Sequence, residues 1–230
     1  MEKKAIIFDM DGVILDSQAA YYEFDKLLLW RCAAREELRE AGFAWSADLV
    51  TEAARQNAGL TTLDRMARYK KEFGLKESAE ALAEICAGYA RKHFETARIE
   101  PLGGMPELLS YAKELGLQIG VASSTPLALV RLILERLGLL HFFAKIVSGE
   151  DVAAGKPAPD VYLKAAAALG LLPGECWAVE DSLAGMRSAK AAGMGCIAYR
   201  NSYTQDYSHA DHVVGHFSEC RRILAAPCND

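Results

Sequence analysis

Residues 4–16 read Lys4-Ala5-Ile6-Ile7-Phe8-Asp9-Met10-Asp11-Gly12-Val13-Ile14-Leu15-Asp16. A short apolar run that ends on two acids and a glycine reads as a buried strand followed by a turn. Short apolar runs recur at Leu117–Ala122, Ala144–Val147, Cys176–Val179, Gly195–Tyr199 and His212–Val214. Amphipathic stretches lie between them at Met105–Leu115, Leu127–Leu137, Val161–Leu169 and Ser182–Ala192, each stopping near a glycine, as helices commonly do. Strand and helix alternate, which predicts an α/β fold built on a parallel sheet.

Residues 17 to 98 break that rhythm. Four helical patterns, about Gln18–Ala41, Ala47–Gln56, Thr62–Phe73 and Ser78–Thr96, succeed one another with no strand between them. The block is expected to be an all-helical insert after the first strand, packed over one edge of the sheet as a cap. Gly12–Asp16 reads as the outgoing linker and Pro101-Leu102-Gly103-Gly104 as the return. The expected division is a core of residues 1–16 and 99–230 and a cap of 17–98. The final Ala-Ala-Pro-Cys-Asn-Asp is expected to fray.

Composition narrows the function. The 230 residues are 51% hydrophobic and 25% charged, ordinary values for a folded chain. With 26 basic against 31 acidic residues the net charge is −5, which leaves no positive surplus for binding nucleic acid. The same field repels an anionic substrate, so such a substrate needs a local positive cluster or a metal. No apolar run approaches the roughly 20 residues that span a bilayer, and the run after Met1 is too short for a signal-peptide core. Cys32, Cys86, Cys176, Cys196, Cys220 and Cys228 form no C-x-x-C pair. They read as reduced thiols in a cytoplasmic protein without structural zinc. Charge and composition set no oligomeric state.

In open parallel sheets ligands gather at the carboxyl ends of the strands, so the residues just past each strand matter most. After the first come Asp9 and Asp11, which an extended backbone projects to one side, with Gly12 allowing the turn. After the second comes Ser123-Ser124-Thr125-Pro126, hydroxyls and backbone N–H groups at a helix start, suited to a phosphate. After the third comes Gly155-Lys156-Pro157-Ala158-Pro159-Asp160, a stiff loop presenting one ammonium, with Asp160 placed to cap the next helix. After the fourth comes Glu180-Asp181-Ser182. Each piece alone is commonplace: a turn, a cap, a solvated lysine. Four in this order are not. Clustered acids need a cation, and hard oxygen ligands favour Mg²⁺.

These residues resemble the haloacid dehalogenase superfamily, in its helical-cap branch, over nearly the whole chain. Asp9-Met10-Asp11-Gly12-Val13 matches the first motif, Ser123 the second, Lys156 the third and Glu180-Asp181 the fourth. The resemblance implies a Rossmann-like core. It also implies Asp9 as the nucleophile that forms an aspartyl phosphate, and Asp11 as acid then base. Ser123 and Lys156 would complete the catalytic set, with Ser123, Ser124 and Lys156 holding phosphate. Asp9, the Asp11 carbonyl and Asp181 would hold Mg²⁺, with Glu180 a weaker ligand acting through water.

Within the superfamily, Asp11 disfavours a dehalogenase, and the lysine-free stretch Asn57–Thr62 disfavours a phosphonatase. A mutase resembling the β-phosphoglucomutases stays open. Tyr21, Thr62 and Pro126 depart from that pattern, and the Ser-Thr-Pro turn resembles phosphatases of small sugar phosphates. An idle binding protein on the same fold is the reading from a different class, and the intact Asp9 and Asp11 speak against it. The expectation is a Mg²⁺-dependent phosphatase of a small phosphorylated metabolite, acting on neither nucleic acid nor membranes. Tyr21, Tyr22, Arg65 and Arg68 are the candidates to reach a substrate from the cap. However, Arg65 and Arg68 share a charged run with Lys70 and Lys71, which reads as a solvated face. His209, His212 and His216 flank an edge strand and read as pointing apart.

Overall fold

The computed structural model describes residues 2–33, 52–53, 56–202 and 204–225. Six strands form one parallel sheet: β1 (Ala5–Phe8), β2 (Gln118–Ser123), β3 (Lys145–Ser148), β4 (Cys176–Glu180), β5 (Gly195–Tyr199) and β6 (His212–Val214). Their order is β3-β2-β1-β4-β5-β6. In the register, Phe8 stands between Val121 of β2 and Val179 of β4. Asp9, Ser123 and the Glu180–Asp181 pair therefore leave the sheet close to one level.

Helices α1 (Gln18–Ala33), α2 (Thr62–Phe73) and α3 (Ala79–Thr96) come after β1. Helices α4 (Met105–Glu114), α5 (Leu127–Arg136), α6 (Asp160–Ala168), α7 (Leu183–Ala191) and α8 (Cys220–Ala225) accompany the later strands. The two-residue period of a strand splits β1 between two layers. Ile6 and Phe8 face Leu108, Leu109, Val130 and Ile133 of α4 and α5. Ala5 and Ile7 face Val161, Tyr162, Met186 and Ala189 of α6 and α7. The sheet is buried on both faces, which is why its strands read as unbroken apolar runs.

The helices between β1 and β2 bury a stripe of their own, with Leu28, Leu29, Met66, Tyr69, Phe73 and Leu82 packed together. Phe24, Cys86, Ala90 and Phe94 instead join the layer that covers β1. The two linkers run side by side. Leu15 bridges to Pro101, and the Leu102 N–H donates to the Ile14 carbonyl at 2.9 Å.

Local signals set most boundaries. The Thr61 side chain accepts the Asp64 N–H ahead of α2, Ser78 does the same for Ala81 ahead of α3, and Ser182 for Gly185 ahead of α7. Asp160 departs from its expected part. It is the first residue of α6 and makes no cap, because Pro159 before it already has helical backbone (φ −75°, ψ −9°). In the first turn its charge still suits the helix dipole. The helix expected over Gln18–Ala41 is described as far as Ala33, and the one over Ala47–Gln56 lies almost wholly outside the described residues.

Candidate active site

Lys156 lies at the centre of the strand ends, with a side chain only 1% exposed. Its ammonium donates to Asp9 Oδ1 at 2.8 Å, to the Ala122 carbonyl at 3.1 Å and to Glu180 Oε1 at 2.6 Å. A buried lysine is tolerated only when its donors are filled and its charge is opposed, and here both hold. Burial works against the charged ammonium, yet the Asp9 and Glu180 carboxylates hold its pKa above the usual lysine value. Burial pushes the Asp9 carboxyl up, to about 7, against the pull of Lys156.

Glu180 is the most heavily engaged acid. Its Oε1 also accepts the Tyr162 hydroxyl at 2.7 Å, and its Oε2 accepts the Asp181 N–H and the Ser182 hydroxyl. Gly185 gives it room, since a Cβ there would collide with the Glu180 carboxylate. Asp181 turns the other way, toward the pocket, where Asn201 donates to its Oδ2 at 2.8 Å and Gln18 at 3.4 Å. Gly12 has φ of 79° and passes so close to Asp181 that any side chain at residue 12 would strike it.

Asp9, Glu180 and Asp181 each bring a carboxylate oxygen within 4.8 Å of the others, all three buried. Burial raises the Asp181 pKa well above its usual value, and the Asp9 and Glu180 charges add to this. Three desolvated acids sharing one ammonium call for a further positive charge. This all-oxygen set therefore fits a hard divalent cation.

The Asp11 side chain stands apart from that cluster. Ser17 donates to its Oδ1 at 2.6 Å and Thr125 to its Oδ2 at 2.5 Å. Burial raises its pKa, opposed by those two hydroxyls. The Thr125 hydroxyl lies 3.4 Å from that of Tyr21. Neither Ser17 nor Thr125 is marked by its spacing as a partner of Asp11. Ser123 is fully buried and accepts the Thr125 N–H at 3.0 Å. The Ser124 hydroxyl donates to the Gly59 carbonyl across the mouth at 2.7 Å.

Helices α1 and α2 and the Asn57–Thr62 stretch form the opposite wall of the same pocket, through Tyr21, Asp25, Asn57, Leu60 and Arg65. The charged run expected to face solvent is split. Arg68 is exposed and reaches Asn57 Oδ1 at 3.3 Å, whereas Arg65 turns inward with a side chain 13% exposed. Its position explains this, because Arg65, Tyr69 and Phe73 recur every fourth residue on the packed face of α2. Arg65 pairs with the buried Asp25 at 3.5 Å, and Asp25 accepts the Tyr69 hydroxyl at 2.8 Å. The histidines have separate partners: Arg187 for His209, the Trp177 ring for His212 and Ser218 for His216.

An aspartate against a buried lysine, a second aspartate held by two hydroxyls and three acids close enough to share a cation, all at parallel strand ends, form an arrangement suited to phosphoryl transfer. The sequence profile of the haloacid dehalogenase-like hydrolases matches residues 3–193, and the chain belongs to that family, as an enzyme of the phosphatase class. Protein CbbY of Rhodobacter capsulatus is 33% identical over 221 residues, covering 92% of each chain. The β-phosphoglucomutase of Bacillus subtilis is 32% identical, covering 94% of this chain and 91% of its own. The crystal structure of a CbbY mutant from Rhodobacter sphaeroides, in complex with xylulose-(1,5)bisphosphate, superimposes with a TM-score of 0.79. It is 25% identical and covers 94% of this chain and 96% of that one. Among the described residues no helix is long and apolar enough to cross a membrane.

Proposed function

We propose that the chain is a cytoplasmic, Mg²⁺-dependent phosphatase that hydrolyses a small phosphorylated metabolite, a sugar phosphate, through an aspartyl phosphate. The catalytic part is residues 1–16 and 99–230, and the cap residues 17–98. The observation that carries this reading is the unequal treatment of two aspartates two residues apart. Asp9 lies against the Lys156 ammonium, as a nucleophile near developing negative charge should. Asp11 is held by two neutral hydroxyls, as a group that gives and takes a proton should be.

With Asp9 Oδ1 engaged by Lys156, Oδ2 is the oxygen left to attack. It forms a bond to phosphorus as the bond from phosphorus to the ester oxygen breaks, and Asp11 gives its proton to the departing alcohol. Asp11 then takes a proton from water as the water oxygen bonds to phosphorus. The bond from phosphorus to Asp9 breaks, and inorganic phosphate leaves. Ser123, Ser124 and nearby backbone N–H groups hold the phosphoryl oxygens, and Lys156 balances charge between them and Asp9. Asp9, the Asp11 carbonyl and Asp181 would hold Mg²⁺, with Glu180 acting through water. When bound, that ion offsets charge on the phosphoryl oxygens. Among the described residues, the buried cysteines Cys86, Cys176, Cys196 and Cys220 are free thiols, which fits a reducing compartment.

The test is one assay with Mg²⁺ on sugar phosphates, nucleotides and phosphoglycolate, reading free phosphate and isomerised sugar phosphate, with Asp9→Asn as blank. Phosphate release abolished in Asp9→Asn and by EDTA, and restored by Mg²⁺, is the expected result. Conversion of β-glucose 1-phosphate to glucose 6-phosphate without free phosphate would make the chain a mutase instead.

A further inference from the structure

We infer that the cap wall of the pocket selects an uncharged, hydroxyl-bearing leaving group and rejects a second phosphate, with Arg65 and Asp25 as the specificity-determining pair; this rests on the phosphatase reading. Among the described residues lining the pocket, Arg65 carries the one positive charge, against Asp9, Asp11, Asp25 and Asp181. Its charge is already committed. Asp25 is fully buried, lies 3.5 Å from the guanidinium, accepts the Tyr69 hydroxyl and has the Cys86 sulfur 4.0 Å from its Oδ1. A second phosphate at this wall would need Arg65 to itself, leaving the Asp25 carboxylate unpaired beside a dianion in a desolvated site.

The wall does offer neutral recognition. Arg65 Nε is buried and has no hydrogen-bond partner, while Nη2 donates to the Cys86 sulfur at 3.4 Å, so the guanidinium holds one donor unfilled. The guanidinium stands 5.3 Å from the centre of the Tyr21 ring, giving the wall an apolar face beside a donor and an acceptor. A sugar hydroxyl can accept from Arg65 while giving its own proton to a carboxylate, which a phosphate dianion cannot.

The test is calorimetric binding to the Asp9→Asn protein with Mg²⁺, comparing fructose 6-phosphate with fructose 1,6-bisphosphate. The monophosphate should bind roughly tenfold more tightly, and adding Asp25→Asn should narrow that gap about tenfold by freeing the Arg65 charge. The monophosphate comparison stands even if the Asp25 variant does not fold. Equal or tighter binding of the bisphosphate overturns the inference, as does an unchanged gap in a folded Asp25→Asn protein, or no binding of either ester. Phosphate release by the unmodified enzyme is scored separately. No release with the binding order intact sinks the phosphatase reading alone, and release with the bisphosphate preferred sinks this inference alone.

Discussion

Two buried charge clusters face each other across the pocket, and they are built differently. The core cluster of Lys156, Asp9, Glu180 and Asp181 stands on strand ends and the loops behind them, so the sheet register fixes where each residue starts. Lys156 alone joins three acceptors. The cap cluster of Arg65, Asp25 and Tyr69 stands on the faces of two helices and is joined by a 3.5 Å ion pair and one hydroxyl. It also leaves a buried donor unfilled. The first arrangement is over-determined and suits chemistry that tolerates no misplacement. The second has capacity to spare, which suits a surface that must accept a ligand.

The largest effect that could break this contrast is at Lys156. Lys156→Met should lower phosphate release about a thousandfold or more. It should also reduce stability by about 3–5 kcal/mol, because Asp9 and Glu180 would be left buried without their cation. Steady-state kinetics and urea unfolding measure the two, and a loss under tenfold in rate would remove the core cluster from the chemistry. Arg65→Met tests the other side. It should lower stability by about 2 kcal/mol, less than at Lys156, because the pair is longer, at 3.5 Å, and Asp25 keeps the Tyr69 hydroxyl and the Cys86 thiol. A urea midpoint shift as large as that of Lys156→Met would erase the distinction.

Thr125→Val should reduce kcat about tenfold by removing one of the two hydroxyls on Asp11, and Thr125→Ser should restore most of it. The smallest effect lies away from both clusters. Burial works against the Asp211 carboxylate, but Lys190 and the Cys196 N–H hold its pKa below the usual value. A depressed carboxylate pKa gives stability that is present above the unfolded value, near pH 4, and lost as pH falls through the lower folded value. Asp211→Asn should thus lower Tm by about 1–2 °C at pH 7, since the pair is solvent-screened. That difference should shrink below pH 4 in thermal melts.

The core was legible because its chemistry is tied to topology. Apolar runs that end in acids, hydroxyls or a lysine announce strand ends, and a parallel sheet has only one side where those ends can meet. The resemblance of Asp9–Val13, Ser123, Lys156 and Glu180–Asp181 to one superfamily then attached roles to positions. The cap was not legible in the same way. Arg65 and Arg68 look alike in a charged run, and only the packing of Tyr69 and Phe73 decides which one turns inward. Asp25 lies among residues that alternate apolar and polar on a helix whose two faces are both partly covered. The ladder of residues 65, 69 and 73 was the available signal. Ser17 and Thr125 were hidden for another reason: hydroxyls near a helix start all read as caps or phosphate donors, and only the fold brings these two to Asp11.

One contact at the pocket mouth carries a rule of succession. The Ser124 hydroxyl has a single proton, and it is given to the Gly59 carbonyl on the cap side. A phosphate dianion offers acceptors only, so with Ser124 assigned to the phosphate that proton can serve the cap or the substrate, never both. Occupancy below and fastening above are mutually exclusive on one atom. Under the proposed role of Ser124, arrival of the phosphoryl group at that hydroxyl would undo a stitch that its departure would allow to close again.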